Sequence, residues 1–120
     1  MGDPSRRQNE RFPCDIAATL HTPSSGAEVG RARLTDLAIE GAAVETSVPL
    51  ARRIPYELRW SWKGADFRVV ARVAWDKPAR GGESAHRFGL SFTTTSEQET
   101  LLRQMIDALR QQLWSHRGPR

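Results

Sequence analysis

The sequence predicts a mainly β domain in which about six short antiparallel strands form a small barrel or sandwich, followed by one C-terminal α-helix. Three observations predict it. Two segments, residues 54–62 and 67–75, alternate apolar and polar residues with period two. Shorter alternating runs, punctuated by turn residues, stand before and after them. From Ser96 onward the period changes to helical spacing.

Taken in order, residues 1–13 read as a polar arm outside any helix or strand, carrying Arg6, Arg7 and Arg11 with one large apolar residue, Phe12. "CDIAATLHT" begins the strands, with Ile16, Ala18 and Leu20 on one face, and "PSSG" marks a turn. "VGRARLTD" sets Val29, Ala32 and Leu34 among two arginines, and the short "GAAVETS" ends before Pro49. "IPYELRWSW" then puts Ile54, Tyr56, Leu58, Trp60 and Trp62 on one face. "FRVVARVAW" repeats the pattern with Phe67, Val69, Ala71, Val73 and Trp75 inside. Lys63-Gly64-Ala65-Asp66 joins the two as a hairpin, with a glycine available for positive φ. After the "GGES" turn, "HRFGLSF" aligns His86, Phe88, Leu90 and Phe92.

The helix opens with Ser96 as N-cap and Glu99 three residues later, a capping box. Leu102, Met105, Ile106, Leu109 and Leu113 follow at helical spacing, and "GPR" ends the chain. The stripe is expected to pack on the barrel, with a partner groove as the alternative. The division is then an arm over 1–13, a barrel over 14–95 and a helix over 96–115, all one domain.

At 120 residues the chain has room for one core but not two. Its 27% charged and 38% hydrophobic residues suit a globular protein, and no apolar run nears the roughly 20 residues of a membrane helix. No apolar region follows the charges of "MGDPSRRQNE", so a secretory signal and membrane insertion are not expected and a cytoplasmic location is. Cys14 is the only cysteine, which excludes an internal disulfide and a cysteine-based zinc cluster. The net charge of +4 favours anionic partners. Arginine outnumbers lysine 16 to 2, a skew that suits phosphate and guanine edges but also follows from a GC-rich genome.

Catalysis finds little support. His21, His86 and His116 fall in separate elements without metal-ligand spacing, no serine sits in a nucleophile elbow, and no glycine-rich phosphate loop opens a helix. Cys14 reads as an inert thiol. No enzyme, metal or cofactor is expected. The corner "LTDLAIEGAAVET" is more informative, because Leu37 to Glu40 is too apolar for an ordinary surface turn. Gly41 there supplies either a positive φ or close approach of another molecule. Asp36 accepts either from loop amides in an Asx turn or from a ligand's N–H groups.

The R-x-x-x-R pattern from Arg7 to Arg11, then strand, turn, strand and a D-x-A-x-x-G corner at Asp36, Ala38 and Gly41, resembles the PilZ domain. "VVARVAWDKP" and "HRFGLSF" look like that family's closing strands, and the terminal helix fits. The resemblance covers essentially the whole chain. It implies a six-stranded antiparallel β-barrel and a bacterial receptor for cyclic di-GMP.

That ligand suits the residues. A guanine presents O6 and N7 acceptors that an arginine fork meets with two hydrogen bonds. Its N1–H and N2–H donors suit a carboxylate. By the resemblance, Arg7 and Arg11 hold guanine and phosphate, Asp36 takes a guanine donor edge, and Gly41 allows close approach. Arg6, just before the pattern, is placed to influence how many ligands bind. Ala38 replaces the family's serine, so one hydroxyl contact is missing, and an adaptor that does not bind the ligand is the alternative. The chain shows no output domain of its own, so an unidentified downstream protein is the expected partner. A basic small barrel binding nucleic acid is the third reading. It is not favoured, because the alternation puts Trp60, Trp62 and Trp75 on the core face, whereas stacking needs exposed rings.

Overall fold

The computed structural model describes residues 10–78 and 85–117, with side chains as far as residue 112. Its strands are β1 (Phe12–His21), β2 (Glu28–Leu37), β3 (Gly41–Thr46), β4 (Tyr56–Trp62), β5 (Ala65–Pro78) and β6 (His86–Thr93), followed by one helix, α1 (Ser96–Arg117). All neighbouring strands are antiparallel, and they close into a barrel in the order β1-β2-β3-β6-β5-β4. The choice between barrel and sandwich is thereby decided. The "GGES" turn, the terminal "GPR", and Arg6 and Arg7 lie outside the described residues.

Period two gives each strand one inward row. Leu20, Leu34, Val44, Leu58, Val69 and Leu90 fill the barrel, and burying a side chain of this size contributes ~1.5–3 kcal/mol over leaving it exposed. From α1, Leu102, Met105, Ile106 and Leu109 join the same cluster, so the helix packs on the barrel. Trp60 ties the two together. Its ring stacks on Phe67 with centroids 5.0 Å apart, and its indole N–H donates to Met105 Sδ at 3.3 Å. β1 pairs with β4 only over Ala18–His21, leaving residues 12–17 without a strand on that side.

Four boundaries differ from the sequence expectation, each for a local reason. β1 starts at Phe12, because Phe12 is buried and pairs with Leu37 while Pro13 pairs with Asp36. β4 starts at Tyr56, leaving Ile54 49% exposed instead of in the core. The β4–β5 hairpin closes on two residues, since Trp62 already pairs with Ala65. Lys63 (φ 49°) and Gly64 (φ 81°) form that turn, the doubly positive geometry that matches strand twist. The helix cap sits one residue early: Thr95 Oγ1 accepts from the Gln98 N–H at 3.1 Å, and Gln98 Oε1 from the Thr95 N–H at 2.9 Å.

One difference changes a face. The β5–β6 register shifts between Val73 and Trp75, so Ala74 is an extra residue in a bulge. Val73 stays inside opposite Leu90, and Trp75 turns outward opposite Gly89. The expected inner position of Trp75 is therefore corrected. Trp60 is buried and Trp62 packs half-buried against the core, as the alternation requires.

Candidate functional site

Asp36 is the centre of the site. It lies next to last in β2, where the β2–β3 register shifts between Leu34 and Asp36, and the shift leaves its carboxylate on the outer face. Oδ1 accepts from Arg11 Nη1 at 2.7 Å and from the Ala43 backbone N–H at 3.2 Å. Oδ2 faces Arg87 Nη2 at 3.5 Å. One carboxylate, 16% exposed, thus sits between two guanidinium groups that are 44% and 38% exposed. Asp36 makes no Asx turn; its backbone partner lies across the ladder on β3.

The pairing Pro13↔Asp36 explains how Arg11 arrives there, since Arg11 precedes the strand by one residue. Paired at an exposed surface, such groups gain only ~0.2–1 kcal/mol. Arg11 can therefore leave Asp36 for a ligand at small cost. Arg87 is held less well. Its single contact to Asp36 is long, and among the described residues its buried Nε has no hydrogen-bond partner. A buried N–H without an acceptor costs ~1–3 kcal/mol.

The corner after β2 is tightly made. The Ala38 N–H donates to the Gly41 carbonyl at 2.8 Å, and the Phe92 N–H to the Glu40 carbonyl at 2.7 Å. Leu37 and Ala38 are buried and Ile39 packs against the core, which accounts for the apolar residue choice. Gly41 does not have a positive φ. A Cβ there would come within 2.1 Å of the Leu90 carbonyl oxygen, so close approach of the β6 backbone demands the glycine.

Of the sequence-derived residues, the structure brings Arg11 and Asp36 into contact, with Ala38 and Gly41 in the adjoining corner. Sequence reasoning missed Arg87, which the structure sets against Asp36. The available signal was that Arg87 and Gly89, two apart, share the strand face opposite Phe88 and Leu90.

Elsewhere, the Cys14 thiol is pushed up from 9.0 to about 12, first by burial and then by the nearby Asp36 and Asp15 carboxylates, so it is a poor nucleophile at neutral pH. His21 has both ring nitrogens engaged, by Thr19 Oγ1 at 2.7 Å and the Gly26 carbonyl at 3.0 Å. Among the described residues no group of three or more His, Cys, Asp or Glu is placed to hold a metal. No described helix is long and apolar enough to cross a membrane. A groove of about 1130 Å³, lined from β1, β2, the end of β3 and the β4–β5 hairpin, lies away from Asp36. Its charges are mixed, with Arg31, Arg33, Arg59 and Arg68 against Asp15, Glu45 and Asp66.

Comparison with known proteins agrees with this architecture. The family model described as PilZ domain matches residues 5–109. The chain belongs to the PilZ domain family. The PilZ domain of CeSA from a cellulose-synthesizing bacterium superposes with a TM-score of 0.64 at 22% identity, covering 84% of this chain and 98% of that one. The PilZ domain of YcgR from Escherichia coli, solved with c-di-GMP, gives 0.69 at 17% identity, covering 90% and 94%. MrkH of K. pneumonia in its apo state gives 0.69 at 15% identity, covering 94% of this chain but 53% of that one. These likenesses show the fold. No curated protein matches the chain in sequence.

Proposed function

We propose that the chain is a bacterial receptor for cyclic di-GMP that relays the level of this messenger to a separate protein. The observation that carries the reading is the Asp36 carboxylate held on the outer barrel face between Arg11 and Arg87. A carboxylate and two guanidinium forks are the groups that read the two edges of guanine and neutralise phosphodiesters. Membership of a family of receptor and adaptor domains supports the reading, as does the retention of Arg7, Arg11, Asp36 and Gly41. On binding, Arg11 exchanges Asp36 for ligand, Asp36 accepts from guanine N1–H and N2–H, and the arginines of the arm fold over the nucleotide.

The second reading is a PilZ adaptor that binds no ligand and works through protein contacts. The alanine at 38 favours it, since one hydroxyl of the family's pattern is gone. A neutral hydrogen bond is worth ~1 kcal/mol and a charge-assisted one ~1.5–3 kcal/mol. The affinity lost is therefore about five- to hundredfold, with the other polar groups in place. Calorimetric titration of the chain with cyclic di-GMP tests the choice. Saturable binding, weakened in Asp36→Ala, supports the receptor; no heat at millimolar ligand supports the adaptor.

A further inference from the structure

Arg59 of β4 stands directly opposite Arg68 of β5. Like charges facing each other across a ladder destabilise it, so packing alone does not call for the pair. Register extends the pair into a row. Arg59 also pairs with Thr19 of β1, and Thr19 with Arg31 of β2, so four neighbouring strands carry three arginines and one threonine at the same level. All four residues lie on the outer face, because Leu20, Leu34, Leu58, Trp60, Phe67 and Val69 fill the inner one. At ~4.8 Å between strands, the row spans about 14 Å.

The rows on either side carry the opposite charge. Glu28 and Glu57 both pair with His21 on one side. On the other, Glu45 pairs with Arg33, and Asp66 with Ser61. The positive charge is therefore a narrow stripe. Within it, Arg59 is bound to Glu57 at 2.5 Å. Arg31 and Arg68 are exposed, and among the described residues neither forms an ion pair. The stripe lies in the groove of about 1130 Å³, on the side of the barrel away from Asp36.

We propose that this stripe docks a short acidic segment of the partner protein, laid across the strands with carboxylates on Arg31 and Arg68 and neutral or basic residues to either side. Three carboxylates at alternate positions of an extended chain span about 13 Å, the length of the row. Two features favour a protein segment over a nucleic acid. The flanking carboxylates repel a continuous polyanion. The aromatic rings that line the groove, Trp60 and Phe67, are 4% and 6% exposed and offer no stacking face. The chain's own segments outside the described residues hold two acidic side chains, Asp3 and Glu83, against five arginines, so they do not complement the stripe. The proposal rests on the reading that the chain relays its signal to a separate protein, and it names the chemistry of that protein's contact.

The test follows the backbone amide resonances of the full isotope-labelled chain without cyclic di-GMP. The probes are the peptide Lys-Gly-Glu-Thr-Glu-Thr-Glu-Gly-Lys, its charge-reversed counterpart, and a short oligothymidylate. The acidic peptide is expected to shift residues 17–19, 31–33, 59–61 and 66–68, less so as salt rises, and to leave residues 36–41 in place. The reversed peptide is expected to shift none of them. Arg31→Glu combined with Arg68→Glu is expected to exchange the two behaviours. Arg31→Gln combined with Arg68→Gln is expected to lose the first without acquiring the second, and melting curves check that both double variants fold. No shift with the acidic peptide at millimolar concentration, or equal shifts with both peptides, overturns the proposal. An oligonucleotide that shifts the same residues at lower concentration overturns it in favour of nucleic acid. A wild-type dimer that the glutamine double variant abolishes overturns it in favour of a second copy. Each of these outcomes leaves the cyclic di-GMP reading standing, and a failed cyclic di-GMP titration leaves the stripe standing.

Discussion

Arg11 Nη1 and Asp36 Oδ1 meet at 2.7 Å across 25 positions of sequence. The contact joins the residue just before β1 to the end of β2, and each partner is a group the proposed ligand requires. In the structure the two occupy each other. The cost of separating them is modest, because the Arg11 side chain is 44% exposed.

Arg11→Ala is therefore expected to weaken cyclic di-GMP binding by ~1.5–3 kcal/mol, the worth of a charge-assisted hydrogen bond. The melting temperature should stay nearly constant. Arg7→Ala is expected to lower affinity similarly. Titration and melting curves of the two single variants and the double variant check this. A double variant that binds like wild type removes the arginine clamp.

Ala38→Ser restores the hydroxyl of the family pattern and is expected to tighten binding about five- to hundredfold, the reverse of the loss assigned to alanine. The side chain at 38 is buried. The gain therefore depends on the hydroxyl finding a partner in the bound corner. Equal affinities of the two forms in parallel titrations would show that the alanine is no lesion.

Arg6 adds a third guanidinium to the arm, enough charge to neutralise the extra phosphates of a stacked pair of ligands. Two cyclic di-GMP molecules per chain are expected, falling toward one in Arg6→Leu. Folding of the arm over the nucleotide is expected to bring amide protection to residues 5–11, upstream of β1. One ligand per wild-type chain sinks the stoichiometry. An arm that exchanges freely at saturation sinks the folding-over of the arm.

Gly41→Ala tests architecture. Its Cβ would stand 2.1 Å from the Leu90 carbonyl oxygen, a backbone atom that cannot swing aside. β3 and β6 must part, at a cost of ~1–3 kcal/mol or more. A small domain loses about 4–8 °C of melting temperature per kcal/mol. A variant that melts with wild type would show that the strands separate freely there.

Much of the barrel was legible because period two is strict where both neighbours are regular strands. Leu58, Trp60, Phe67, Val69, Ala71 and Val73 fall on the inner face by counting alone. Counting fails at the bulge beyond Val73, because one extra residue inverts every later face. That failure hid the outward position of Trp75. The helix cap shows a subtler limit. Both Thr95–Gln98 and Ser96–Glu99 satisfy the capping pattern, and the structure favours the first, whose Gln98 side chain also donates to the Arg68 carbonyl at 2.7 Å. No local pattern shows Arg11 meeting Asp36, because the contact depends on the β1–β2 register. Gly41 was singled out as a glycine needed for close approach, yet the group that approaches it in the structure is a carbonyl of its own barrel.

The brief pairing of β1 with β4, over Ala18–His21, gives the barrel a zip with few teeth. The β1–β2 and β4–β5 hairpins are local in sequence and can form early, whereas closing the ring joins distant segments and carries the larger entropy of loop closure. The ring is thus expected to close late along that line. β1 is the strand that Arg11 precedes. A partner or force that unfastens the ring there would therefore leave the start of β1 seated on β2, because Arg11 meets Asp36 and Phe12 and Pro13 pair with Leu37 and Asp36 inside the hairpin that stays intact.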